Sequence, residues 1–170
     1  MSGKGNFPEA GSGGVVRPRF LADEMLGRLA RYLRMLGCDT LYARGCDDET
    51  IARLSQTEGR ILLTRDRELA ARAESALRIR AIDLPGQLRE LAAAFPSLPR
   101  DVAFERCTLC NGLLQPVSPA SPPGPGPEDG VAPPGVPVFA CASCGHRFWE
   151  GSHTASVRRN VGAWIPEAVA

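Results

Sequence analysis

The chain has 170 residues, 44% of them hydrophobic and 23% charged, which excludes a disordered or fibrous protein. It leaves room for one ordinary domain, or one small domain with an added module. A net charge of +1 argues neither for nor against a polyanionic partner, and no apolar run approaches the ~20 residues of a membrane span.

Residues 1–18 are Gly-rich and polar, without the apolar core of a secretory signal, and read as a disordered tail in a cytoplasmic protein. Phe20-Leu21-Ala22 is a short strand ended by Asp23-Glu24. Met25 to Leu36 reads as a helix, with Leu26, Leu29, Ala30, Leu33 and Leu36 on one apolar stripe. Arg28, Arg31 and Arg34 fall together on its flank, and Gly37 supplies the stop. A second strand spans Asp39 to Ala43. Gly45 to Thr50 turns into a second helix, with acids crowded into its first turn as the helix dipole favours.

Arg60-Ile61-Leu62-Leu63-Thr64 is the strongest strand signal, because an unbroken aliphatic run suits a strand buried on both faces. A third helix is expected from about Arg67 to Ala76 and a fourth strand over Ile79 to Ile82. Pro85 opens a last helix at its favoured first position. Alternation of strand and helix at this spacing predicts an α/β fold, a parallel sheet with helices on both faces, over 19–98. Beyond Pro96 the pattern changes. A cysteine-bearing module is expected over 104–155, interrupted by a flexible Pro/Gly-rich loop at 115–137. The tail, 156–170, carries Arg158, Arg159 and Trp164 without a clear fold signal.

Three carboxylates fall at the same edge of such a sheet: Asp23 after the first strand, Asp48 heading the second helix, and Asp66 just past the third strand. Asp66 taken alone reads more readily as a helix cap than as a metal ligand. Converging carboxylates repel unless a cation neutralises them. Mg²⁺ or Mn²⁺ suits such a site, keeping waters for phosphate oxygens and activating one as a nucleophile. Arg28, Arg31, Arg65 and Arg67 are candidates to hold a phosphate chain. Thr64 and Glu68 are candidate supporting groups, whereas Glu24, Asp47, Glu49 and Glu68 also read as ordinary capping or surface acids.

The cysteines carry the more specific signal. Cys107-x-x-Cys110 and Cys141-x-x-Cys144 supply the four thiolates of a closed structural zinc site. A redox pair would sit within a thioredoxin-like βαβ unit, which is lacking here. Cys38 and Cys46 read as small hydrophobes.

The run Phe20-Leu21-Ala22-Asp23-x-Met25-Leu26-Gly27-x-Leu29-Ala30-Arg31-x-Leu33-Arg34-Met35-Leu36-Gly37 resembles the opening of the Mut-seven C-terminal RNase family, a PIN-like nuclease domain followed by a zinc ribbon. The likeness continues through Asp48-Glu49, Leu62-Leu63-Thr64-Arg65-Asp66 and Gln87-Leu88. It extends over Arg106-Cys107-x-x-Cys110-Asn111-Gly112 and Cys141-x-x-Cys144-Gly145, and closes with Trp149-x-Gly151-Ser152-His153. The resemblance implies a metal-dependent ribonuclease acting on RNA, single-stranded by preference, with acids at Asp23, Asp48 and Asp66. A fourth acid, Glu68 or Asp83, and a substrate or interface role for His153 remain open. The 115–137 loop is longer than the family's usual ribbon loop.

Other readings compete. A receiver-type signalling domain needs a lysine, and none follows Val15; a dehalogenase-type phosphatase needs an Asp-x-Asp that Asp23-Glu24-Met25 does not supply. The rival from another class is a non-catalytic RNA-binding adaptor built on the zinc ribbon.

Overall fold

The computed structural model describes residues 17–118 and 132–165. Expectations for the N-terminal tail up to Val16 and for the centre of the Pro-rich loop, 119–131, lie outside them. The chain divides into two compact units. One takes the described residues through Ala30 with Cys38–Leu98; the other takes Arg31–Gly37 with the described residues from Pro99 onward.

The first unit is built on four parallel strands: β1 (Phe20–Asp23), β2 (Thr40–Ala43), β3 (Ile61–Thr64) and β4 (Ala76–Arg78), in the order β2-β1-β3-β4. β1 and β3 are buried throughout, which is why their sequences are apolar without alternation. Side chains still alternate between faces. Leu21 and Leu62 point to a cluster with Ala43 of β2, Ile51 of α2 (Asp48–Thr57) and Leu69 of α3 (Arg67–Arg72). Phe20 points the other way and meets Phe95 edge to face, centroids 5.4 Å apart, at the end of α4 (Leu84–Ala94). A 3-10 turn, Glu24–Leu26, leads from β1 into α1 (Gly27–Met35), whose predicted stripe of Leu29, Ala30, Leu33 and Leu36 is buried. A Cβ at Gly27 would lie 2.9 Å from the Tyr42 hydroxyl, so a larger residue there would have to push that side chain aside.

The fourth strand falls three residues earlier than the sequence suggests. Ala73, the C-cap of α3, is already extended, and the Leu62 N–H donates to Ser75, locking 76–78 against β3. Ile79 is buried, but Ile82 is 82% exposed. Arg80 and Ala81 give their N–H groups to the Glu90 carboxylate instead of to a ladder.

Arg60 lies at the base of β3 and is buried. It donates to the carboxylates of Asp39 and Glu58 at 2.7 Å each, and to the Phe20 carbonyl. Burial opposes its charge, but the Asp39 and Glu58 bonds outweigh that and raise its pKa. Replacing Arg60 with Met leaves Asp39 and Glu58 with only the half-exposed Arg19, 3.4 and 3.8 Å away, as a shared cation. Arg60→Met is expected to destabilise the fold by about 2–4 kcal/mol, read as a lower urea midpoint with an unchanged m-value.

The second unit contains a three-stranded antiparallel sheet of β5 (Leu114–Val117), β6 (Val138–Cys141) and β7 (Arg147–Trp149), in the order β5-β6-β7. Residues 115–117 are therefore strand, not loop. Pro116 is tolerated because β5 is an edge, where a missing N–H costs no ladder bond. Residues 152–164, expected in part to lack structure, form α5 (Ser152–Trp164), with Thr154, Val157 and Val161 buried. Trp164 lies 5.9 Å from the Tyr32 ring.

Candidate functional site

In a sheet ordered β2-β1-β3-β4, the chain leaves β1 in one direction and later returns past it to β3. The crevice beyond the carboxyl ends of β1 and β3 is thus the switch point, where ligands of parallel sheets bind. Asp23 ends β1 there and is 4% exposed. Its Oδ1 accepts from the Met25 N–H at 3.0 Å, capping the 3-10 turn, and its Oδ2 accepts from the Thr64 hydroxyl. The Thr64 Oγ1 in turn accepts from the Asp66 N–H at 2.9 Å. The result is a continuous chain from Asp23 through Thr64 to Asp66 across the two central strands.

Asp66 is exposed and N-caps α3, its Oδ1 accepting from Glu68 and Leu69 at 2.6 and 3.0 Å. Those Leu69 and Glu68 N–H groups, helped by the charges of Arg72 and Arg78, hold its pKa below the ordinary aspartate value. The capping contribution is therefore complete above about pH 4 and fades only as pH falls through the depressed value. Asp48 heads α2 and is half exposed, its Oδ2 3.7 Å from Arg72 Nη1. The cap of α2 is its neighbour Asp47, which accepts from the Thr50 N–H at 2.8 Å. Asp83 caps α4 through the Gly86 N–H, so this candidate fourth acid has a structural task. Glu68 is exposed in the first turn of α3.

The three acids do not gather as a group within 4.8 Å; among the described residues only the cysteines do so. A magnesium ion fits this wider spacing only through one or two carboxylates with waters completing its shell, its usual mode with protein ligands. Arg28 and Arg67 are exposed, and Arg65 is half-buried with its Nε buried and unpartnered among the described residues. Arg31 and His153 belong instead to the second unit, where both line one cavity.

The cysteines form two matching knuckles. The Cys107 N–H bonds to Gly112 and Asn111 to Cys107; the Cys141 N–H bonds to His146 and Gly145 to Cys141. A left-handed residue follows the second cysteine of each pair, Asn111 at φ 68° and Gly145 at φ 76°. Asn and Gly tolerate that conformation best. Sγ atoms of Cys107 and Cys144 lie 3.6 Å apart, and those of Cys110 and Cys141 3.4 Å. Sulfurs around zinc with bonds of about 2.3 Å stand about 3.8 Å apart, so the four thiols fit that ion closely. Burial pushes the Cys107 thiol up to about 12. For Cys141 burial acts the same way, but the N–H groups of Cys144 and Ser143 outweigh it and bring the thiol to about 7. Gly112 is fixed by proximity, because a Cβ there would lie 2.8 Å from the Cys141 sulfur. Cys38 is buried as expected, whereas Cys46 is exposed and is no core residue.

Sequence reasoning placed Arg34 on a basic flank; it is in fact buried. Its Nη1 donates to the carbonyls of Thr108 and Leu109 at 3.1 and 3.0 Å, holding the turn between the first two cysteines. Arg34→Ala strands two carbonyls and empties a buried site. It is expected to cost about 2–3 kcal/mol and to speed zinc release, measured with a chromogenic chelator.

A parallel sheet flanked by helices and a four-cysteine cluster define an α/β domain followed by a module of zinc-ribbon type. A family model described as "Mut7-C RNAse domain" matches residues 18–161, and the chain belongs to that family. No curated protein and no solved structure gives a significant match. No described helix is long and apolar enough to cross a membrane.

Proposed function

We propose that the chain is a metal-dependent ribonuclease that hydrolyses RNA phosphodiester bonds, with Asp23, Asp48 and Asp66 as its acidic residues. The observation that carries this reading is the hydrogen-bonded chain Asp23–Thr64–Asp66 at the switch point of the sheet, within a chain of an RNase-domain family. A bound Mg²⁺ or Mn²⁺ would acidify a coordinated water and neutralise charge on the phosphate. Asp23 and Asp66 would hold the ion, and Asp48 would contribute from the head of α2. Thr64 fixes the Asp23 carboxylate by donating to it and orients the Asp66 backbone by accepting from it. Arg65, with its buried unpartnered Nε, and the exposed Arg28 and Arg67 supply forked donors for phosphate oxygens.

The second reading, a non-catalytic RNA-binding adaptor, is favoured by one observation: each acid has a local partner or capping task. Incubation of a defined single-stranded RNA with the zinc-loaded protein separates the two. Cleavage that requires Mn²⁺ or Mg²⁺ and stops with a chelator of those ions supports the nuclease; a mobility shift with intact RNA under every metal condition supports the adaptor. Product mapping then distinguishes internal cuts from trimming at an end.

A further inference from the structure

A cavity of about 650 Å³ lies within the second unit. That is ample for one nucleotide, within the size range of small-molecule sites. Its walls have a one-sided charge. Arg31, Arg106 and Arg147 line it with both of the chain's histidines, His146 and His153, and no Asp or Glu contributes. Two of these groups have unspent donors or acceptors. Among the described residues, the exposed Arg31 makes no ion pair, and the buried Nδ1 of His146 has no hydrogen-bond partner. α5 starts at the rim, with Ser152, His153 and Thr154 lining the cavity. Its N-cap is Gly151, which has no side chain to accept from the first-turn N–H groups, leaving them available to an anion. The remaining wall is apolar and aromatic, with Phe104, Phe148 and Trp149 half-buried.

A cation-lined cavity with aromatic walls matches a ligand that joins a phosphate to a flat ring. We infer that this cavity binds a nucleoside monophosphate unit, with its phosphate toward Arg31, His146, His153 and the first turn of α5 and its base against Phe104, Phe148 and Trp149. Such a site would grip one nucleotide of an RNA strand. Only that assignment to RNA rests on the ribonuclease reading; the pocket chemistry stands on its own residues. Base stacking on aromatic rings tolerates any sequence, so the site grips without choosing among bases.

The test is calorimetric titration of the zinc-loaded full chain with adenosine 5′-monophosphate, adenosine, and a tetraribonucleotide bearing a 5′-phosphate or a 5′-hydroxyl. Adenosine 5′-monophosphate should bind more tightly than adenosine. Arg31→Ala and His153→Ala should each weaken it by about tenfold, with thermal melting and zinc content unchanged because both side chains are exposed. Equal affinity for adenosine and its monophosphate would overturn the assignment, as would binding that survives the Arg31→Ala, His153→Ala double variant. If the free mononucleotide binds and neither tetranucleotide does, the occupant is a free nucleotide and the RNA assignment is overturned. A preference for the 5′-phosphate form would place a strand end in the cavity, and equal binding an internal nucleotide; either supports it. Loss of monophosphate binding in a protein that still cleaves RNA would sink this inference alone. Monophosphate binding in a protein that never cleaves would sink only the nuclease reading.

Discussion

Stripping zinc is expected to abolish the folded ribbon formed by β5, β6 and β7. Those strands have four, four and three residues, too few to hold together on hydrophobic burial alone. The four sulfurs instead sit where a tetrahedral ion would hold them. Structural zinc contributes about 10 kcal/mol or more at neutral pH, comparable with the whole stability of an ordinary domain. Chelation is therefore expected to collapse amide-exchange protection in 138–149, and Cys107→Ser or Cys141→Ser to do the same without a chelator. Cys46→Ser is the control, since Cys46 is exposed and outside the cluster.

The pH dependence has a fixed sign. The metal needs thiolates, so protons compete with it. Without metal, Cys141 titrates near 7 and Cys107 near 12. Zinc affinity therefore falls as pH drops, because each thiolate must be made by displacing a proton, and it falls more steeply once Cys141 is protonated as well. A zinc affinity, measured against a competing chelator, that did not weaken between pH 8 and pH 5 would count against a four-thiolate site.

How legible this was in the sequence differs by element. Ile61-Leu62-Leu63 announced a central strand because both its faces are buried, so nothing interrupts the run. The fourth strand was misplaced because Ala76-Leu77-Arg78 and Ile79 to Ile82 alternate equally well. What decides between them is the Ser75 carbonyl meeting Leu62, a contact between distant residues. α5 did carry a signal: Thr154, Val157 and Val161, spaced by three and four, are its buried face. Two arginines and a glycine diluted that stripe. The knuckles were readable from spacing alone, since two intervening residues suffice to turn two sulfurs inward. The burial of Arg34 was not, because it follows from carbonyls 74 and 75 residues away. The acids stand between these cases. Their positions at strand ends and a helix head followed from the pattern. The use of Thr64 as a bridge between Asp23 and Asp66 required coordinates.

That bridge gives the second large effect. Asp66→Asn is expected to reduce metal-dependent RNA cleavage by at least about a hundredfold, or about 3 kcal/mol of transition-state stabilisation, while leaving thermal stability nearly unchanged. Asn is as good an N-cap as Asp, and its side-chain oxygen can still accept from Glu68 and Leu69. The Thr64 bond to the Asp66 backbone N–H does not involve the substituted side chain. What the substitution removes is the negative charge, on which a divalent ion depends far more than a helix cap does. Asp66→Ala has the opposite profile for a purely structural acid: it would cost about 1 kcal/mol through the lost cap. An Asp66→Asn protein that cleaves at the wild-type rate would show that Asp66 only caps α3. Asp23→Asn is the harsher companion, because its buried carboxylate accepts from both Met25 and Thr64. Its neutral amide keeps one acceptor and turns the other position into a donor facing Thr64. It should therefore lose both cleavage and about 1–3 kcal/mol of stability. The contrast between the two variants, one silent in melting and one not, separates charge at the crevice from support of the strand end.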